Sequence, residues 1–187
     1  LGQVYERFLG SVIRLTTAGH AKIEEKREVK KAGGVYYTPT YIVDYIVGQT
    51  VGRLCESKAP KDVARLRVLD PACGSGSFLI GAYQYLLDWH LKWYVNNDAD
   101  KHAKGKEPKV YRTANGWRLT AGERKRILTN NICGVDIDAQ AVEVSKLSLL
   151  LKVLEGETDE TLNAQMRLFH ERALPDLDGN IKCGNSL

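Results

Sequence analysis

The sequence predicts an α/β domain built on a parallel sheet, and three observations carry that expectation. Short apolar runs alternate with longer segments of helical spacing, in the order strand, helix, strand, helix, strand. The stretch "VLDPACGSGSFLI", Val68 to Ile80, joins the first run to the first of those helices through a proline and two glycines. Asp70, Asp136 and Asn185 fall at the ends of the three runs, the edge at which open α/β sheets bind their ligands.

The elements follow in order. "LGQVYERFLGSVIRL" sets Val4, Phe8, Val12 and Leu15 on one helical stripe, and a charged stretch from His20 to Lys31 leads to Gly33-Gly34. Residues 1–32 are therefore expected to be an N-terminal helix and charged linker, and 33–187 the main domain. Thr38 precedes Pro39 and is biased toward extended backbone, after which Ile42, Val43, Ile46, Val47, Val51 and Leu54 recur at helical spacing. "RLRVLD" is the first strand of the sheet, and Phe78 to about Trp93 the helix after the glycine turn. Residues Asn96 to Leu119 are lysine-rich without clear periodicity and predict an inserted loop. Thr120-Ala-Gly-Glu123 has capping-box spacing and opens a helix through Leu128. "NICGVDID" is the second strand, Asp138 caps a helix from Ala139 to about Glu155, and Gly156 closes it. A further helix is expected from Thr161 to His170, and "NIKCGNSL" as a third strand.

Bulk properties narrow the class. The chain has 187 residues, 43% of them hydrophobic and 27% charged, which suits one globular domain with a sizeable core. No apolar stretch approaches the roughly 20 residues that span a bilayer, and no secretory signal pattern opens the chain, so a cytoplasmic protein without a membrane partner is expected. Cys55, Cys73, Cys133 and Cys183 lie far apart and form no Cys-x-x-Cys pair, which argues against a zinc or disulfide framework; Cys133 and Cys183 lie in apolar runs and are expected to be buried, inert thiols. The four histidines are scattered and receive no chemical role. The net charge of +4 gathers in two places. Lys22, Lys26, Arg27, Lys30 and Lys31 form one cluster, and Lys101, Lys104, Lys106, Lys109, Arg112, Arg118, Arg124, Lys125 and Arg126 the other.

The glycine turn constrains the ligand. A dinucleotide fold places its ribose acid about 20 residues after the glycines and leaves the helix N-terminus open for a pyrophosphate. Here Asp136 lies far beyond Gly76, and Asp70 stands ahead of the glycines, where a carboxylate repels phosphate and suits an ammonium group. No Gly-Lys-Ser/Thr follows, which excludes a P-loop. S-adenosylmethionine, with an ammonium, a sulfonium, a ribose diol and no phosphate, fits these residues. In that reading Gly74 and Gly76 let the backbone approach the methionine part, Asp136 accepts the ribose hydroxyls and Ile137 packs on the adenine.

With those residues in view, the chain resembles the N-terminal part of the catalytic domain of adenine-N6 DNA methyltransferases, of the type I and type IIG restriction–modification kind. "GVYYTP", "LDPACGSGSFL", "NNICGVDIDAQAVEVSKLSLLL" and "GNSL" resemble that family's motifs in the family's order, over about residues 33 to 187. The resemblance implies a Rossmann-like S-adenosylmethionine-dependent fold preceded by N-terminal helices. It implies a cofactor set of Tyr37, Thr38, Pro39, Asp70, Pro71, Ala72, Cys73, Gly74, Ser75, Gly76, Asp136, Ile137, Asn185 and Ser186, with no metal ligand. Thr38 and Pro39 would lie near the methionine carboxylate. Asn185 stands where the family often has an aspartate that contacts the adenine amino group. The family's Asn/Asp-Pro-Pro-Tyr/Phe motif, which holds the extruded base, does not occur in the sequence, so no catalytic residue is assigned and a truncated, by itself inactive, fragment is expected. Double-stranded DNA is the implied substrate of the whole enzyme, with a specificity or nuclease subunit or domain as a further partner. Two rival readings stay open: a methyltransferase acting on protein or small molecules, and a non-catalytic nucleic-acid-binding module with a vestigial cofactor fold.

Overall fold

The computed structural model describes residues 11–16, 20–25, 38–156 and 174–186. The hairpin of β1 (Ser11–Leu15) and β2 (Ala21–Glu25) comes first. Helix α1 (Thr40–Val47) runs through a π-helical turn at Gly48–Gly52 into α2 (Arg53–Cys55), and α3 (Pro60–Val63) leads to β3 (Val68–Asp70). Then come α4 (Ser77–Asn96), α5 (Ala99–His102), β4 (Val110–Thr113), β5 (Gly116–Leu119) and α6 (Ala121–Asn131). Strand β6 (Ile132–Asp136), α7 (Ala139–Leu154) and β7 (Ile181–Cys183) complete the described chain.

The sheet has the order β3-β6-β7 and is parallel throughout, with Leu69 opposite Cys133 and Val135 opposite Lys182. Parallel strands need crossovers, and α4 and α7 provide helices that pack on the sheet and on each other. Their buried faces follow from spacing: Leu79, Ala82, Tyr83, Leu86, Leu87, His90 and Tyr94 on α4, and Ala141, Val142, Ser145, Leu149 and Val153 on α7. Two side-chain amides stitch the far ends of the strands. Asn131, fully buried, donates to the carbonyls of Val63 and Leu66, both at 2.8 Å, and Asn180 donates to those of Thr129 and Ile132 at the same distance.

Helix α1 lies parallel to α4. A Cβ on Gly81 would meet Val43 at 2.5 Å, whereas a Cβ on Gly52, further along the first helix, would meet Tyr85, further along α4. The entry of α1, with Thr38 and Pro39, is thereby held at the same end as the glycine turn that opens α4.

Several expectations change. Ser11–Leu15 is a strand, not the end of a helix, because β-branched Val12 and Ile13 favour a ladder and Ala21–Glu25, expected as linker, supplies the partner strand. Residues 1–10, the cations of the first basic cluster beyond Lys22, Tyr37 and the expected helix from Thr161 to His170 lie outside the described residues. The stretch from Asn96 to Leu119 is not an irregular loop. It holds α5 and the β4–β5 hairpin, rooted in the core by Ala99, Val110 and Leu119. A hairpin of two four-residue strands is too short to leave a periodic signature. Cys183 is exposed, on β7 at an edge of the described sheet, and Cys133 is only half-buried; the buried thiols are Cys55 and Cys73.

Behind the hairpin lies a buried polar cluster. Thr120 caps α6 by accepting the Glu123 N–H at 3.2 Å, but the Glu123 carboxylate does not return the bond as a capping box would. It points inward, with no exposed side-chain surface, and accepts from Tyr94 Oη at 2.7 Å and twice from Arg126 at 2.6 and 2.8 Å. Lys109 Nζ stands 3.5 Å away. Burial alone would raise this carboxyl, but the Arg126 bonds and charge, with Tyr94 and Lys109, hold it below its usual range.

Candidate functional site

Strand β3 ends two residues short of β6 and β7, and the glycine turn fills the step. Asp70 closes β3 level with Gly134, two residues short of Asp136, which is level with Cys183. Asp70 turns the chain by accepting the Ala72 N–H at 3.1 Å. The backbone then runs across the end of β6: Cys73 N–H donates to the Val135 carbonyl at 3.0 Å, and Gly76 N–H to the Cys73 carbonyl at 2.8 Å. This path needs positive φ at Gly74 (+53°) and Gly76 (+87°), the left-handed region that glycine enters without penalty.

The Gly74 residue is held from both sides. Its N–H donates to Asp136 Oδ2 at 2.7 Å, and its carbonyl accepts from Ser145 Oγ at 2.7 Å. Asp136 Oδ1 accepts the Asp138 N–H at 2.9 Å, so both carboxylate oxygens are positioned by backbone. A carboxylate oxygen carries two lone-pair sites, and each keeps one for another donor. Beyond the Gly74 Cα, where a side chain would stand, no heavy atom outside the flanking residues lies within 4 Å. The crest of the turn therefore offers bare backbone to open space beside a fixed anion.

The other expected residues are distributed around this centre. Ile137 is 78% exposed, an apolar side chain presented to solvent at the strand exit next to Asp136. Pro71 and Ala72 are exposed, whereas Cys73 and Ser75 are buried beneath the turn. Burial pushes the Cys73 thiol up to about 11, with the negative charges of Asp136 and Asp70 adding to it, so Cys73 is a neutral packing group and not a nucleophile. Ser186 Oγ donates to the Pro71 carbonyl at 2.7 Å and Gly184 N–H to the Asp136 carbonyl at 2.9 Å, which brings Gly184, exposed Asn185 and Ser186 against the Asp-Pro turn. Thr38 is half-buried and Pro39 exposed at the entry of α1.

Two residues escaped the sequence reading. Ser145 is fully buried, and a Cβ at Gly76 would come within 2.8 Å of its oxygen. Its signal was a hydroxyl on the otherwise apolar stripe of Ala141, Val142, Leu149 and Val153. Gly134 lies inside a strand, where a Cβ would meet Leu79 at 2.7 Å and Cys73 Sγ at 3.1 Å. Its signal was a strand glycine, which marks close approach of another segment. Ser145→Ala is expected to leave the Gly74 carbonyl without its partner and to cost about 1–3 kcal/mol of stability. Urea denaturation reads that loss, and an unchanged midpoint would show the bond to be dispensable.

A parallel sheet whose first strand exits through Asp-Pro-x-Cys-Gly-x-Gly, with a second acid fixed at the next strand end, defines a Rossmann-like methyltransferase domain. Comparison with known families agrees: the model of the MmeI DNA-methyltransferase domain matches residues 54–187. The chain belongs to that family. It is similar along its whole length, at 36% identity, to the type II restriction enzyme and methyltransferase RM.Eco57I of Escherichia coli, of which it covers 17%. It is 29% identical to the putative type II restriction enzyme and methyltransferase RM.MjaORFECS2P of Methanocaldococcus jannaschii, again over the whole chain and 16% of that protein. Over 67% of the chain it is 28% identical to the adenine-specific methyltransferase BrxX of Escherichia coli O9:H4, covering 11% of it. The chain thus spans less than a fifth of the length of these relatives. Among the described residues no helix is long and apolar enough to cross a membrane, and no group of three or more His, Cys, Asp or Glu side chains could hold a metal ion.

Proposed function

We propose that this chain is the cofactor-binding part of a site-specific DNA methyltransferase that moves a methyl group from S-adenosylmethionine to adenine N6, within a restriction–modification system. The observation that carries the cofactor assignment is the clamped Gly74: open backbone at the crest of the turn, beside a carboxylate that keeps an unused acceptor site on each oxygen. Such a site suits a ligand that brings hydroxyl donors and positive charge. When bound, S-adenosylmethionine supplies an electrophilic methyl group on its sulfonium sulfur.

The chain's own residues bind and orient. Asp136 accepts the ribose hydroxyls, and Ile137 covers one face of the adenine. Asp70 contributes negative charge near the ammonium, and the Gly74–Gly76 backbone passes close to the methionine part. Thr38 and Pro39, at the entry of α1, serve the methionine carboxylate, with Tyr37 part of the same sequence motif, while Asn185 and Ser186 serve the adenine side. The DNA assignment draws on relatives that are named as restriction enzymes and methyltransferases or as adenine-specific methyltransferases. RM.Eco57I carries both activities in its name, which favours a parent that joins this domain to a nuclease.

The test is calorimetry with S-adenosylmethionine and, as a control, NAD. Saturable binding of the first and none of the second is expected. Equal binding of both, or of neither, would refute the cofactor assignment. The same preparation is expected to transfer no methyl group to duplex DNA, because the base-stacking motif that offsets extrusion is absent from the sequence.

A further inference from the structure

The second basic cluster is a structured surface far from the cofactor site. Between residues 101 and 126 the sequence holds nine lysines and arginines against Glu107 and Glu123, in a chain whose whole net charge is only +4. Glu123 is consumed internally by Arg126, Tyr94 and Lys109. Lys101, Lys104, Lys106 and Arg112 are exposed, and among the described residues no carboxylate pairs with any of them. An uncompensated concentration of this kind costs self-repulsion and is sustained where a polyanion neutralises it.

The shape is that of a ribbon. The base of the β4–β5 hairpin is fixed by Val110 and Leu119, 0% and 6% exposed, whereas Ala114, Asn115 and Gly116 at its tip are exposed. Arg112 lies over the Trp117 ring across the ladder, 6.0 Å from its centroid, which stiffens the outer half without neutralising the guanidinium. Arg118 anchors the ribbon to the Gly156 carbonyl at 2.6 Å, just past the end of α7. A two-stranded ribbon fits the major groove of a duplex, roughly 12 Å wide, with flanking cations left to meet phosphates. An acidic protein surface would require no such protruding shape.

Its place separates it from the mouth. The ribbon packs on α4 and caps the end of α7, and both helices begin at the cofactor turn. Arg118 reaches Gly156, past the far end of the 16-residue α7, which puts about 24 Å of helix between that anchor and the turn. We infer that the β4–β5 ribbon, with Lys101, Lys104 and Lys106 in the preceding segment, is a second surface that holds the phosphate backbone of double-stranded nucleic acid, away from the base pairs at the cofactor mouth. This inference stands independently of the cofactor assignment.

The experiment measures binding of a labelled 30-base-pair duplex to the full chain by fluorescence anisotropy across a salt series. The variants are the quadruple change Lys101→Gln, Lys104→Gln, Lys106→Gln and Arg112→Gln, and the charge-keeping set Lys101→Arg, Lys104→Arg, Lys106→Arg and Arg112→Lys. Equal urea midpoints establish that all three chains are folded. The glutamine variant is expected to show a plot of log affinity against log salt that is shallower by about 0.9 per lost phosphate contact, while the charge-keeping variant retains the original slope. Equal slopes for the unaltered and glutamine chains would overturn the inference, as would no duplex binding by the unaltered chain. Polyglutamate binding as tight as the duplex would assign the surface to acidic proteins and overturn it too.

Discussion

Asp136→Ala is expected to weaken S-adenosylmethionine binding by about 1–3 kcal/mol, on the order of ten- to a hundredfold in Kd. Two losses combine. The ribose hydroxyls would lose their acceptor, and the Gly74 and Asp138 N–H groups, held at 2.7 and 2.9 Å, would lose theirs. The turn that shapes the site is thus disturbed by the same change that removes the ligand contact. Asp136→Asn separates the effects in part: it keeps the side-chain shape and one acceptor, but sets an amide donor against a backbone donor. Calorimetry on both variants, with urea midpoints measured in parallel, checks this. Affinity unchanged in a folded Asp136→Ala chain would remove Asp136 from the cofactor site.

The largest stability loss is expected for Glu123→Leu, about 3–5 kcal/mol, because it strands a half-buried Arg126 and a buried Tyr94 hydroxyl without their common acceptor. Glu123→Gln should cost less, since it keeps one acceptor and the shape. Acid should act through the same region. Glu123 titrates below its usual value when folded, so its contribution is whole above the unfolded value of 4.5 and is lost as pH falls through the depressed one. His90 adds to this from the other side of neutrality. It is fully buried, donates Nδ1–H to the Leu86 carbonyl at 2.7 Å, and leaves Nε2 without a protein partner. Burial holds its basicity below the usual 6.5, so the unfolded chain takes up the proton first and stability falls as pH drops through that value. Urea midpoints measured from pH 7.5 to pH 4 should decline, beginning near pH 6.5. His90→Phe should flatten the upper part of that decline and leave the lower part in place.

The sequence by itself determined the parallel α/β architecture and which strand ends lie together. Strand, turn and helix are local properties there: Asp70, Pro71, Gly74 and Gly76 force the reversal, Asp138 caps α7, and the apolar stripes of α4 and α7 declare which faces are covered. Asp70, Asp136 and Asn185 were legible as one edge because parallel strands must end on the same side. Only the tertiary structure decided the rest. That Ser145 and Asp136 grip one glycine from opposite sides depends on residues 62 and 71 positions away, and no local pattern encodes such a meeting. The β4–β5 hairpin was hidden for the same reason. Its strands are short and half polar, and what orders them is burial of Val110 and Leu119 in the core together with the anchor of Arg118 on the end of α7. Ser11–Leu15 shows the converse: a stripe at helical spacing became a strand once a partner strand satisfied its backbone. Periodicity records which residues share a face, and hydrogen-bond partners distant in sequence settle which face the backbone builds.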